Sequence, residues 1–101
     1  MQFLVTAYDG TDAEAPARRQ AAREAHLVGA RRLTEEGRIL VGGAILDAEG
    51  RMIGSACVVD FPSRAELDEW LRTDPYVTGD VWRRIEVVPF RVAVAATPGS
   101  A

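Results

Sequence analysis

The feature that most restricts the fold is a short polar connection in the middle of the chain, between two runs with the character of β-strands. Arg38 to Leu46 precedes it and Arg51 to Phe61 follows it, and both runs are mostly apolar. The connection, Asp47 to Gly50, ends in a glycine that can adopt the positive φ such turns need. The sequence therefore predicts an antiparallel hairpin at the centre of the chain.

A strand and a helix are predicted on each side of this hairpin. Phe3 to Tyr8 is apolar on both alternating faces, which predicts a central strand, and Ala13 to Glu36 has the Ala, Arg and Glu content of a helix. Ser63 is placed to cap a second helix, with Glu66 three residues later, and Val81 to Val94 predicts a last strand. The order β-α-β-β-α-β predicts a ferredoxin-like α+β sandwich, with two helices on one face of a four-stranded antiparallel sheet.

Three interruptions of these patterns carry predictions of their own. Gly42 and Gly43 break the second strand, which indicates a bulge or a close approach of another group to the backbone. Pro89 lies within the last strand and indicates an edge strand or a bulge. Asp74 precedes a proline, so the second helix should end there, and residues 75–79 are expected to form a turn.

The length and composition suit one globular domain. The chain has 101 residues, of which 48% are apolar and 27% charged. We expect a single domain over residues 1–95 and a flexible tail over residues 96–101. A formal net charge of -3 gives no electrostatic reason to expect nucleic acid as a partner. The arginines of the first helix alternate with glutamates, which predicts a solvated helix face for this set: Arg18, Arg19, Arg23, Arg31 and Arg32.

The chain has one cysteine, Cys57, and one histidine, His26. One chain therefore cannot build a Cys/His zinc site, and we expect neither a metal nor another cofactor. A lone cysteine cannot form an intrachain disulfide and fits a reducing compartment. The N-terminal stretch lacks the features of a signal peptide, and no stretch is long enough to span a bilayer. We therefore expect a cytoplasmic protein with no membrane partner.

His26 is the first candidate for chemistry because imidazole is the side chain that ordinarily titrates near neutral pH. At about 100° per residue, its helix places it on one stripe with small and apolar residues, which should turn it towards the sheet; these are Ala22, Gly29, Ala30 and Leu33. A core histidine bonded to a backbone carbonyl is the alternative for His26, and a helix-ending turn residue is the alternative for Asp74.

Several short motifs, taken in order, resemble the YciI-like family, and the match covers nearly the whole chain. They are Arg23 to Leu27 (REAHL), Glu36 to Leu40 (EGRIL), Asp74 to Tyr76 (DPY) and Ile85 to Phe90 (IEVVPF). The resemblance implies a dimeric α+β barrel, with a His-Asp pair in a cleft. Members of the family often have Gly-Pro after the second strand's glycine, whereas Ala44 follows Gly43 here, so the mouth of the cleft is expected to differ.

The resemblance also assigns roles to four residues. His26 would act as a general acid and base, and Asp74 would orient it by accepting one imidazole N–H. Arg23 falls on the family's basic position one turn before His26 and would bind an anionic group, and Ser55 falls on a polar position of the third strand and would contact the ligand. The expected function is a cofactor-independent enzyme acting on a small anionic, aromatic or lactone-like substrate by isomerisation, elimination or hydrolysis.

A non-catalytic dimeric module that binds a small molecule or regulates a partner is the alternative function. In either case a homodimer is expected. One face of the predicted sheet carries apolar residues that no element of the chain is left to cover, and a second copy would cover them.

Overall fold

A four-stranded antiparallel sheet forms one layer of the protein in the computed structural model, which describes residues 1–96. Residues 97–101, most of the predicted tail, lie outside the described residues. The strands are β1 (Gln2–Asp9), β2 (Ile39–Leu46), β3 (Met52–Asp60) and β4 (Trp82–Pro89), in the spatial order β2-β3-β1-β4. Every pair is antiparallel. The predicted ferredoxin-like α+β fold is confirmed.

Helices form the second layer, against one face of the sheet. They are α1 (Ala15–Glu35), α2 (Arg64–Thr73) and the single turn α3 (Pro75–Thr78). The core joins Phe3 and Val5 of β1 to Leu67 of α2, with Ala30 and Leu33 of α1 packed against it. No helix within residues 1–96 is long and apolar enough to cross a membrane.

Local sequence signals place the ends of these elements. Gly37 follows the end of α1 with φ +77°, and Gly50 closes the β2–β3 hairpin with φ +82°. Both are backbone conformations that favour glycine. The Ser63 side chain accepts a hydrogen bond from the backbone N–H of Glu66 at 3.2 Å, as predicted for the cap of α2.

Two of three predictions about local structure need correction. β4 ends at Pro89 rather than Val94, because Pro89 pairs with Phe3 and β1, the strand beside it, begins at Gln2. Residues 75–78 form a helical turn, since the Asp74 carboxylate caps the N–H of Tyr76 at 2.9 Å and Pro75 begins the turn. The third prediction, at the glycine pair, holds as a close approach: β2 has register shifts between Ile39 and Val41 and between Ile45 and Leu46, on either side of the pair. A Cβ at Gly42 would lie only 3.2 Å from the Cβ of Cys57.

The two faces of the sheet differ in burial. Phe3, Val5 and Ala7 of β1 point to the helices and are buried. The opposite face carries a row of apolar side chains paired across all four strands, namely Val41, Val58, Leu4 and Val88. Val41 is 63% exposed and Val88 46% exposed. Within one chain, β1 is therefore covered on the face that packs against the helices, and its other face is not covered by any helix.

Candidate active site

A cavity of about 350 Å³ lies between α1 and the helix-side face of the sheet. A volume of this size is at the lower end of the range for small-molecule sites. The sheet leaves space for the cavity because the strand residues that line it are small. They include Gly42, Ala44 and Ser55. Ser55 is paired with Ala7 on one side and with Ala44 on the other, so neither neighbour fills the space above it.

His26 lines this cavity and is bonded to Asp74. The distance from His26 Nδ1 to Asp74 Oδ2 is 2.8 Å, and the two side chains are 14% and 2% exposed. Because a carboxylate only accepts hydrogen bonds, Nδ1 carries the proton in this contact. In the neutral ring the lone pair then lies on Nε2. The same Asp74 oxygen accepts the N–H of Tyr76, which fixes the carboxylate against the start of α3.

Aromatic side chains hold the imidazole ring in place. The ring of Tyr76 is stacked on that of His26, with centroids 3.9 Å apart and planes 13° apart. The indole of Trp82 meets the same imidazole edge-on at 5.6 Å. Burial raises the pKa of the Tyr76 hydroxyl, although Arg19 and Arg23 act against this rise. The rings limit the rotation of His26 and keep its Nδ1 directed at Asp74.

Arg19 is buried, so the predicted solvated face is wrong for this residue. It is 6% exposed, and its Nη1 donates to both carboxylate oxygens of Asp9, at 2.9 and 3.0 Å. Its guanidinium lies over the Tyr76 ring at 4.7 Å from the centroid. The neighbouring Arg18 behaves as predicted and pairs with the exposed Asp12. Arg19 lies seven residues before His26, two helical turns away on the same stripe, and this spacing could have identified it.

Ser55 and Arg23, the other two predicted site residues, also line the cavity. Ser55 Oγ accepts hydrogen bonds from Arg19 Nη2 at 3.0 Å and from Trp82 Nε1 at 3.2 Å. No carboxylate within residues 1–96 lies within ion-pair distance of the Arg23 guanidinium. The structure thus brings His26 and Asp74 into direct contact and places Arg23 and Ser55 around the same cavity. Asp9, Arg19 and Trp82 belong to this arrangement and were not predicted.

Cys57 lies on the cavity floor, two residues beyond Ser55 on β3. Burial raises the pKa of its thiol to about 12, and the negative charge of Asp74 adds to the effect. The thiol is therefore protonated at neutral pH and a poor nucleophile. Within the part of the chain that the structure describes, no group of three or more His, Cys, Asp or Glu side chains is placed to hold a metal ion.

The family model for the YCII-related domain matches residues 1–91. The chain belongs to this family. The resemblance of its motifs to YciI-like proteins is thereby confirmed. No curated protein matches the sequence of this YCII-related domain significantly.

Solved structures similar to this YCII-related domain include two from Burkholderia species. One is 5-chloro-2-hydroxyhydroquinone dehydrochlorinase from Burkholderia phenoliruptrix AC1100 in complex with 2,5-dihydroxybenzoquinone, with 23% identity, 92% of this chain and 96% of that chain covered, and a TM-score of 0.81. The other is an uncharacterized NIPSNAP domain protein from Burkholderia xenovorans, with 19% identity, 97% and 99% covered, and a TM-score of 0.44. The first similarity shows that the YCII-related domain shares its fold with the dehydrochlorinase.

Proposed function

We propose that this YCII-related domain is a small cofactor-independent enzyme in which His26 exchanges a proton with a substrate bound in the cavity. The observation that carries the proposal is the 2.8 Å contact between His26 Nδ1 and the buried Asp74 carboxylate, in a histidine that lines the cavity. This contact assigns Nδ1 as the donor and leaves the Nε2 lone pair for proton transfer.

The surroundings of the pair suit general acid and base catalysis. When Nε2 takes a proton, the imidazolium forms next to the Asp74 carboxylate, which stabilises its positive charge. Tyr76 contributes twice, because its N–H holds the carboxylate and its ring stacks on the imidazole. His26 can then return the proton to another atom of the substrate. Return of the proton gives an isomerisation, and loss of a leaving group gives an elimination.

The cavity walls support the expected substrate class, a small anionic molecule with an aromatic or lactone-like body. Arg23 lies one turn before His26 and offers its guanidinium to an anionic group. Leu27, Ala30 and Trp70 supply apolar walls further along the cavity. The named substrate of the dehydrochlorinase, a chlorinated hydroxyhydroquinone, is of this kind.

The elimination of 5-nitrobenzisoxazole tests the proposal without knowledge of the natural substrate. A positioned base removes the C–H proton of this probe, the N–O bond breaks, and a coloured nitrophenolate forms. We expect the protein to exceed an equal concentration of free imidazole by about 10²-fold, because positioning a base contributes at least this much. His26→Gln should remove the enhancement.

The control for this experiment is Glu24→Gln, which removes an exposed titratable group from the same helix and should leave the rate unchanged. Circular dichroism would verify that both variants are folded. The proposal is wrong if the wild-type protein is no faster than free imidazole, or if His26→Gln retains the full rate. That result would favour the alternative, a non-catalytic dimeric module that binds a small molecule or regulates a partner.

We also propose that a second copy of the chain covers the open face of the sheet. The support is the row of paired apolar side chains Val41, Val58, Leu4 and Val88, which crosses all four strands on that face. Light scattering with size exclusion should show a dimer, and Val41→Glu should yield monomers. Val28→Glu, which changes an exposed apolar residue of α1, should leave the dimer intact. A monomeric wild-type protein would contradict the proposal.

A further inference from the structure

The two hydrogen bonds that Ser55 accepts leave its hydroxyl able to act only as a donor. Its oxygen lies 3.0 Å from Arg19 Nη2 and 3.2 Å from Trp82 Nε1. Guanidinium and indole N–H groups can only donate, so the Ser55 oxygen is the acceptor in both contacts. A hydroxyl has two lone pairs and one proton. Both lone pairs are therefore engaged, and the O–H proton is what Ser55 can still offer.

The proton of this hydroxyl has room to point into the cavity. Within residues 1–96, no side-chain or backbone oxygen accepts a hydrogen bond from Ser55. Its neighbours across the sheet are Ala7 and Ala44, whose methyl groups neither accept a hydrogen bond nor cover it. Because Ser55 lines the cavity, its O–H is available to a bound molecule.

His26 and Ser55 face the same end of the cavity. One indole, that of Trp82, meets the His26 ring edge-on at 5.6 Å and donates its N–H to Ser55. The end of the cavity thus combines a proton acceptor, Nε2 of His26, with a hydrogen-bond donor. The donor is strengthened because a hydroxyl that accepts from a guanidinium is polarised by that charge.

We infer that Ser55 is a second catalytic residue, whose O–H binds the substrate oxygen that becomes negatively charged when His26 removes a proton. This inference rests on the proposed function and gives the substrate a chemical class. The substrate carries an acidic C–H next to a carbonyl group, as in an enolisable ketone or a lactone. A donor aimed at the site of developing charge accelerates such a reaction because it need not reorganise as the charge forms.

The reaction step balances within the site. His26 Nε2 takes the proton from carbon, and the electron pair of the broken C–H bond forms a double bond to the carbonyl carbon. The π pair of the carbonyl group moves to its oxygen, which Ser55 stabilises as an enolate. Return of the proton from the imidazolium to a different carbon completes an isomerisation, and no oxidant or reductant is consumed.

Variants of Ser55 test this role with two probes. In the elimination of 5-nitrobenzisoxazole, negative charge develops on the ring oxygen during the reaction. The second probe, 4-nitrophenolate, carries a negative charge on its oxygen before any reaction. We expect Ser55→Ala to lower the His26-dependent rate about 10²-fold, as for the loss of one oxyanion donor. We expect it to weaken binding of 4-nitrophenolate about tenfold, as for the loss of a hydrogen bond to a charged group. Ser55→Thr keeps the hydroxyl and should restore most of both.

Two further variants keep the test decisive. Thr11→Val removes an exposed hydroxyl of the loop that follows β1, which does not line the cavity, and it should change neither readout. If Ser55→Ala does not fold, Ser55→Cys replaces the hydroxyl by a weak donor of similar shape and should show the same two losses. The inference is overturned if the wild-type rate depends on His26 while a folded Ser55→Ala or Ser55→Cys protein keeps full rate and affinity. Failure of the proposed function differs from this outcome, because the rate would then not depend on His26.

Discussion

Two buried carboxylates join helix α1 to the rest of the protein, and they do so with different partners. Asp9, at the end of β1, binds Arg19, and Asp74, between α2 and α3, binds His26. The two partners are two turns apart on one stripe of α1, and both lie against the ring of Tyr76. All four side chains are at most 14% exposed. Burial and pairing therefore do not distinguish the two sites.

The two pairs differ in whether the basic partner keeps a nitrogen that can exchange a proton with a molecule in the cavity. Arg19 carries a permanent charge that it shares between Asp9 and Ser55, and an arginine does not exchange protons in a protein. His26 uses one nitrogen for Asp74 and keeps a second one that can gain or lose a proton. The comparison indicates that the Arg19 pair anchors the helix, whereas the His26 pair is suited to chemistry.

The largest effect on stability is expected when the ion pair between Asp9 and Arg19 is broken. Asp9→Ala leaves the Arg19 charge buried without its carboxylate, which should lower the free energy of unfolding by about 3–5 kcal/mol. Urea denaturation measures this change. Asp12→Ala removes the exposed pair with Arg18 in the same part of the chain, and it should have a much smaller effect because solvent screens that pair. Equal losses in the two variants would contradict an anchoring role.

Removing the charge of the other carboxylate should affect catalysis more than stability. Asp74→Asn keeps an oxygen that can accept the N–H of Tyr76, but it cannot stabilise an imidazolium at His26. We expect the elimination rate to fall about 10²-fold and the free energy of unfolding to fall by only about 1–2 kcal/mol. Paired rate and urea measurements check both. A full rate in a folded Asp74→Asn protein would show that the carboxylate does not assist His26.

The smallest expected effect concerns the thiol of Cys57, whose pKa is raised by the charge of Asp74 but not by that of Asp9. Because burial and the Asp74 charge raise the pKa of this thiol to about 12, alkylation by iodoacetamide should stay slow well above pH 8. Asp74→Asn removes a negative charge, so it should lower the pKa and speed alkylation at a given pH. Asp9→Asn, where it is folded, should leave the pH profile unchanged. Equal shifts in both variants would contradict this distinction.

The same thiol makes stability depend on pH in a defined direction. An unfolded cysteine has a pKa of about 8.5, so the folded state holds the proton more tightly than the unfolded state does. The preference of the folded state for the protonated thiol therefore stabilises the fold fully below about pH 8.5. This contribution is lost as the pH rises towards about 12.

The local and apolar parts of this structure are readable from the sequence. The apolar run from Phe3 to Tyr8 predicts the central position of β1, and Gly50 predicts the turn in which it occurs, because these signals act over a few residues. His26 was found through its helical stripe. Its partner Asp74 came from the family resemblance, since the sequence separation gives no local signal.

The Arg19 site was missed because its formation depends on tertiary structure. By composition, Arg19 is one of several arginines on a charged helix, and Asp9 is a polar residue at the end of a strand. Asp9 follows Phe3, Val5 and Ala7 in the alternation of β1, and its meeting with Arg19 as a buried ion pair depends on how α1 packs on the sheet. Periodicity places the two residues on facing sides of the helix and the sheet, but it does not say that they meet.

The tautomer of His26 tests the central claim most directly. Long-range ¹H–¹⁵N correlation at about pH 9, where an imidazole is ordinarily neutral, reports which ring nitrogen carries the proton, and His26 is the only histidine to assign. We predict the proton on Nδ1, held by Asp74, and a bare Nε2 whose resonance changes when 4-nitrophenolate is added. A proton on Nε2, or an Nε2 resonance that does not respond to the ligand, would contradict the assignment of His26 as the base of this cavity.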